Sequence, residues 1–214
     1  MRGKTHLAIG AAVGAGAAVY FSPDLSNSLT YIGAAAFSAL AADLDGTSML
    51  SGKLTKLSRQ LRQLALWGGL VCAAAVLILY VTGSTVSPIL AGGSVAAALI
   101  GLTMSNGAIR NALVSMVGAF IIWLGLSRGE WWLAGLGAFV AWAPWLNHRG
   151  MTHTVWMIPL WWWLASGAEQ ELRLEGLAVT AAAGYLSHLV ADTLTPSGVK
   201  WLYPLTKRTF KIKI

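Results

Sequence analysis

The sequence predicts an all-α, polytopic integral membrane protein. About eight transmembrane or partly spanning helices are expected, with both termini in the cytoplasm. Three observations carry this. The 214 residues are 56% hydrophobic and only 11% charged, whereas a soluble domain carries about 25% charged residues. The mean hydropathy is +0.64. Apolar runs recur near 6–21, 28–44, 64–82, 86–104, 108–126, 131–146, 154–168 and 176–194, and about 17–20 apolar residues suffice to cross a bilayer core of about 30 Å. These features exclude a soluble globular enzyme, a disordered chain and a disulfide scaffold. The single cysteine, Cys72, lies inside an apolar run and cannot form an intrachain bridge.

The first run follows Arg2 and Lys4 and is dominated by Ala and Gly. It resembles a signal peptide only loosely and is expected to stay as a helix. The second ends in Asp43-Leu44-Asp45-Gly46. The loop after it spaces Lys53, Lys56, Arg59 and Arg62 three residues apart, beside Leu54, Leu57 and Leu61. On a helix that is a basic stripe suited to an anionic leaflet. The third to sixth runs carry Pro88 and Pro144 near their ends, where proline is easily accommodated. Pro159 falls inside the seventh run and is expected to kink it. Trp131, Trp132, Trp142, Trp145, Trp156 and Trp161–Trp163 suit an interfacial belt. The eighth run ends with His188 and Asp192. Without a fixed-period repeat or low-complexity linker, residues 1–214 read as one domain.

Charge orients the chain. With eight spans, Arg2, Lys4, the four stripe residues, Arg110, Arg149, Lys200, Lys207, Arg208, Lys211 and Lys213 share one side, and only Arg128 and Arg173 face the other. The positive-inside rule makes the first side cytoplasmic. The net charge of +7 is therefore an orientation signal, which argues against nucleic acid as the partner. Membrane lipid is the expected environment and a candidate substrate.

The same side collects His6, His148, His153, His188, Asp43, Asp45 and Asp192, while Asp24 and every glutamate fall opposite. Two aspartates at a helix C-terminus oppose the macrodipole and repel each other, a conflict that a cation removes. The turn His148-Arg149-Gly150-Met151-Thr152-His153 brings two histidines together. His188 and Asp192, spaced i and i+4, share a helix face, and ionisable groups inside a membrane are expensive and functional by default. Four histidines and three aspartates match a divalent-metal site, and seven candidates exceed the need of one tetrahedral ion. Two ions are expected, zinc first, with manganese or iron as alternatives. Asp45 is the candidate general base, and Arg149 the candidate clamp for phosphate. Arg110 and Lys200 are weaker phosphate contacts. Thr5, Thr152 and Ser187 precede three of the histidines and are candidate supports for them.

Thr5-His6, Asp43-Leu44-Asp45, the His148–His153 block, and His188-x-x-x-Asp192 with Thr195-Pro196-Ser197-Gly198 and Tyr203-Pro204 resemble the LexA-regulated, YdjM-like membrane-bound predicted metal-dependent hydrolases. Order and spacing agree over essentially the whole chain. The resemblance implies a multi-span hydrolase of the bacterial inner membrane that uses a divalent metal. The pattern is also similar in kind to helical zinc phospholipases C and related single-strand nucleases. The expected activity is hydrolysis of a phosphoester, such as a lipid headgroup, by metal-activated water at the cytoplasmic face. The rivals are a divalent-metal transporter and a metal-binding structural membrane protein. Transport predicts ligands near the bilayer midplane on broken helices, whereas these candidates gather at one face.

Overall fold

The computed structural model describes residues 3–21, 24–46 and 48–212. Arg2 and Lys213, two of the orienting charges, lie outside the described residues. The chain is all-α: α1 (Gly3–Phe21), α2 (Leu25–Ala41), α3 (Gly52–Val81), α4 (Pro88–Thr103), α5 (Asn106–Arg128), α6 (Trp131–Trp142), α7 (Met157–Leu172) and α8 (Leu177–Thr193). Short 3-10 turns follow α2 and α6 and precede α7. Among the described residues the only β pairing is an isolated bridge between Val199 and Phe210. Each of the eight apolar runs contributes one helix.

The chain divides into two compact units, Gly52–Leu113 and the remainder, Met1–Ser51 with Val114–Ile214. The smaller unit is a hairpin of α3 and α4 with the first turns of α5. Helix α3 is 30 residues long, or about 45 Å at 1.5 Å per residue. Lys53, Lys56, Arg59 and Arg62 form its opening turns. The basic stripe is therefore not a separate surface helix but the polar start of a continuous apolar one. Good helix formers around it allow this, with no Gly or Pro between Lys53 and Trp67. The apolar window of α3 is only 6% buried, unlike the core helix of a soluble protein. Helix α5, 23 residues long, is the second helix long and apolar enough to cross a membrane.

In the larger unit, α1, α2, α7 and α8 surround the candidate site. Asp24 accepts from the Asn27 N–H at 3.3 Å and so caps α2. This local task accounts for the aspartate that stands apart from the other three. Glu169 of α7 accepts from the Ala178 N–H at 2.7 Å, placing an anion at the positive end of α8. Helix α2 is gripped on both sides by glycine contacts. A Cβ on Gly10 of α1 would meet Ala39 Cβ and the Ala35 carbonyl, and one on Gly184 of α8 would meet the Ala35 backbone. The close approach brings His6 and His188 to the same end of α2.

Two expectations are corrected here. Pro159 does not kink α7, because the helix begins at Met157. In the first turn a proline has no intrahelical N–H partner to lose. Trp161 does not join the interfacial belt: it is 4% exposed, and its indole N–H donates to Ser38 Oγ at 2.6 Å. Trp131, Trp142, Trp145, Trp156, Trp162 and Trp163 remain exposed.

Candidate metal centre

Two carboxylates flank a pair of histidine nitrogens. His153 Nε2 and His188 Nε2 are 3.2 Å apart. Asp43 Oδ1 lies 3.7 Å from both nitrogens, and Asp192 Oδ2 lies 3.9 Å from both. Donors held about 2.0–2.1 Å from a tetrahedral cation are separated by roughly 3.3 Å. These spacings are slightly wider than those of a ligand shell, and His153, His188 and Asp192 could close on a cation. The four side chains come from three places in the chain: the turn after α2 supplies Asp43, the turn before α7 supplies His153, and α8 supplies the other two. Both histidines are fully buried, and Asp192 is 2% exposed.

The far side of each imidazole fixes which nitrogen is available. His188 Nδ1 lies 2.6 Å from the Ala39 carbonyl. A carbonyl only accepts, so Nδ1 carries the proton and the Nε2 lone pair faces inward. His153 Nδ1 lies 3.0 Å from Thr152 Oγ1 and 3.4 Å from Asp45 Oδ2. Thr152 donates its own hydroxyl proton to Asp45 Oδ2 at 2.6 Å, leaving a lone pair for His153. Two inward lone pairs 3.2 Å apart repel unless a proton or a cation lies between them. Metal-ligating histidines characteristically use their second nitrogen in this way.

Asp45 has another place. Besides Thr152, it meets His148 Nδ1 at 2.7 Å and the Arg149 N–H at 3.0 Å. One carboxylate thus gathers the whole 148–153 turn. Burial opposes its charge, but the bonds from His148, His153 and Thr152 prevail and hold the carboxyl well below the usual range. Burial likewise opposes a charged His153, yet Asp43 and Asp45 push that imidazole up to about 9. The His148 ring is 55% exposed and turns toward Asp45.

Arg149 takes a left-handed conformation at φ 58°, which costs a non-glycine residue of order 1–3 kcal/mol. Its backbone bond to Asp45 and its side-chain bonds over-determine that shape. One terminal nitrogen donates to the Gly198 carbonyl at 3.3 Å, and the other meets Asp192 Oδ2 at 3.1 Å. Gly150 serves the turn by close approach, since a Cβ there would meet the Asn147 carbonyl.

His6 completes the cluster. Its Nε2 lies 3.3 Å from Asp192 Oδ1, and its ring stacks on His188 at 3.8 Å. Its Nδ1 is buried and has no hydrogen-bond partner among the described residues, an expensive state for a polar atom that can take a ligand. Three overlapping triplets keep ligand atoms within 4.8 Å of one another: His6, Asp43 and His188; His153, His188 and Asp192; and Asp43, Asp45 and His148. The donor set fits a divalent cation of the zinc type.

A family model described as YdjM inner membrane protein matches residues 1–214. The chain belongs to the YdjM inner membrane protein family. It is accordingly an inner-membrane protein. No curated protein and no solved structure matches it.

All seven metal candidates of this YdjM-family chain meet in these overlapping triplets, with Asp45 and His148 behind His153. Of the three supporting hydroxyls, only Thr152 touches a candidate ligand. Ser187 donates to the Gly184 carbonyl of its own helix at 2.7 Å, and Thr5 is exposed. Arg110 lies in the smaller unit, where its guanidinium bonds Asn111 Oδ1 at 2.6 Å and 3.1 Å. Sequence reasoning missed the Ala39 and Gly198 carbonyls, which no side chain announces. It also missed Tyr185, whose hydroxyl donates to the Thr152 carbonyl at 2.6 Å. Its position three residues before His188 was the available signal.

Proposed function

We propose that this YdjM-family chain is a multi-pass, membrane-embedded metal-dependent phosphoesterase with both termini and its active centre at the cytoplasmic face. The observation that carries this is the pair of buried Nε2 atoms 3.2 Å apart between two carboxylates, each imidazole held from behind. His153, His188 and Asp192 would hold one divalent cation, zinc first, leaving its fourth position to water. His6 would add a donor toward a second. Bound there, the metal supplies a water of lowered pKa and a Lewis acid for the phosphoryl oxygens.

The chain's own groups do the rest. Asp45 and the Ala39 carbonyl keep both imidazoles in the ligating tautomer. Arg149, held in its strained turn, offers guanidinium donors beside the centre. A phosphate oxygen would replace Asp192 as their partner, in the paired geometry that guanidinium favours. Asp45 is spent on the 148–153 turn, so its role in this reading is to position rather than to take the proton. Asp43, the least buried of the three aspartates at 19% exposure, is the better base.

The test is elemental analysis of protein purified without chelator, alongside hydrolysis of a soluble phosphodiester. At least about one equivalent of divalent metal and metal-dependent turnover are expected. Under about 0.2 equivalents of any divalent metal ends the hydrolase reading. Metal flux into proteoliposomes without hydrolysis would favour transport instead.

A further inference from the structure

We infer that a slot between α2, α6, α7 and α8 holds one acyl chain of a membrane glycerophospholipid whose phosphate reaches the metal centre. The slot encloses about 390 Å³ and is walled by residues such as Gly33, Phe37, Leu136, Leu164, Ala165 and Ala181. It runs along α2 from Thr30 to Ser38 and along α7 from Trp161 to Leu172, about 12–16 Å of helix rise.

Its chemistry selects hydrocarbon. Thr30 donates to the Ser26 carbonyl, Ser38 to the Ala34 carbonyl and Trp161 to Ser38. Among the described lining residues only Trp132 Nε1 is buried without a partner, too little to fix a polar ligand.

Packing does not require the slot's openness. Gly10 and Gly184 are glycine because a neighbouring helix occupies the Cβ position; at Gly33 a Cβ would meet nothing within 4 Å. Helix α2 thus carries a helix-weakening residue whose visible effect is to leave room.

One end of the slot adjoins the elements that hold the centre. Ser38 at its head precedes Ala39, whose carbonyl holds His188, and Asp43 follows four residues later. Trp161 packs on Tyr185 at 5.1 Å, and Tyr185 holds the Thr152 carbonyl. A chain lying in the slot with its head at the Ser38 end therefore has that head at the end of α2 that carries Ala39 and Asp43.

This inference rests on the phosphoesterase reading for what happens at the head of the lipid, and not for occupancy of the slot. The test uses the full chain in phosphatidylethanolamine vesicles containing a phosphatidic acid with a photoreactive diazirine midway along one acyl chain. Adducts mapped by peptide mass spectrometry are expected on Leu136, Trp161 and Ala165. Gly33→Phe should lower this labelling at least fivefold while metal content stays at the wild-type level. Ala165→Leu, on the facing helix, should act in the same direction and decides the matter if Gly33→Phe fails to fold. A diacylglycerol with the same diazirine and no phosphate should label at least fivefold less. Adducts confined to other helix faces, labelling undiminished in both variants, or equal labelling by the diacylglycerol would each overturn the proposal. Selective slot labelling in a protein that hydrolyses no phosphoester would leave the slot standing and remove the enzyme.

Discussion

The two units of this chain are built from the same material and treat charge in opposite ways. Between Gly52 and Leu113 there is no Asp, Glu or His; the charges are Lys53, Lys56, Arg59, Arg62 and Arg110. The larger unit holds all eight acidic residues and all four histidines. In the smaller unit, α3 and α4 are apolar helices whose charges sit at one end, which is what insertion and orientation demand. In the larger unit, polar groups lie inside the packing, where each must be bonded or bound. The difference teaches where to look in an apolar chain: basic residues at a helix end are where to test orientation, and buried acids facing histidines are where to test for metal.

That contrast can be broken most directly at its centre. His188→Ala removes an inward lone pair, so metal should fall below about 0.2 equivalents and hydrolysis by at least about 100-fold. Full metal content with activity intact would strike His188 from the site. Asp45→Asn should act through the 148–153 turn it gathers, weakening metal affinity about 10–100-fold in a protein that still folds. A chelator competition assay reads this, and an unchanged affinity would make Asp45 a mere turn-former. Arg149→Lys keeps the charge and loses the fork, so phosphodiester turnover should fall about tenfold with metal retained; equal turnover would release Arg149 from the phosphate.

Acidity sharpens the picture further. Without a cation, His153 holds its proton up to about pH 9, above the ordinary 6.5. Its stabilising contribution is then complete below about pH 6.5 and lost as pH rises through 9. A cation must displace that proton, so affinity should rise about tenfold per pH unit up to about pH 9; metal titrations giving one affinity at pH 6.5 and 8.5 would contradict this. The smallest effect belongs to the other unit. Replacing Lys56 and Arg59 by Gln should leave metal content unchanged, as exposed substitutions usually stay within about 0.5 kcal/mol.

Much of this was legible in the residues. Apolar runs gave all eight helices, since a long segment of mostly apolar residues bounded by turn residues leaves a continuous trace. The scarcity of ionisable groups gave the seven candidates. What stayed hidden was the division of labour among them. Asp43 and Asp45 are two residues apart and identical in type, yet one faces the centre and the other turns back to the 148–153 turn. Nothing in Asp-Leu-Asp says which, because the answer depends on a 3-10 turn that rotates them apart. Arg149 likewise takes the left-handed turn that the neighbouring glycine seemed made for. Pro159 needed only a three-residue shift of boundary, from 154 to Met157, to change from a kink to a harmless start.

The two histidines at the centre also differ in how mutation can reach them. His153 is aligned by side chains, Thr152 and Asp45, and a single codon change can remove either. His188 is aligned by the Ala39 carbonyl, an atom that every residue at position 39 would supply. No direct replacement deletes that acceptor; only sliding α2 along α8 withdraws it, and Gly184 against Ala35 locks that slide. Drift in a lineage would therefore erode the centre from the His153 side first. Chains with a weakened site should retain a correctly posed His188 after its partner has lost its bearings.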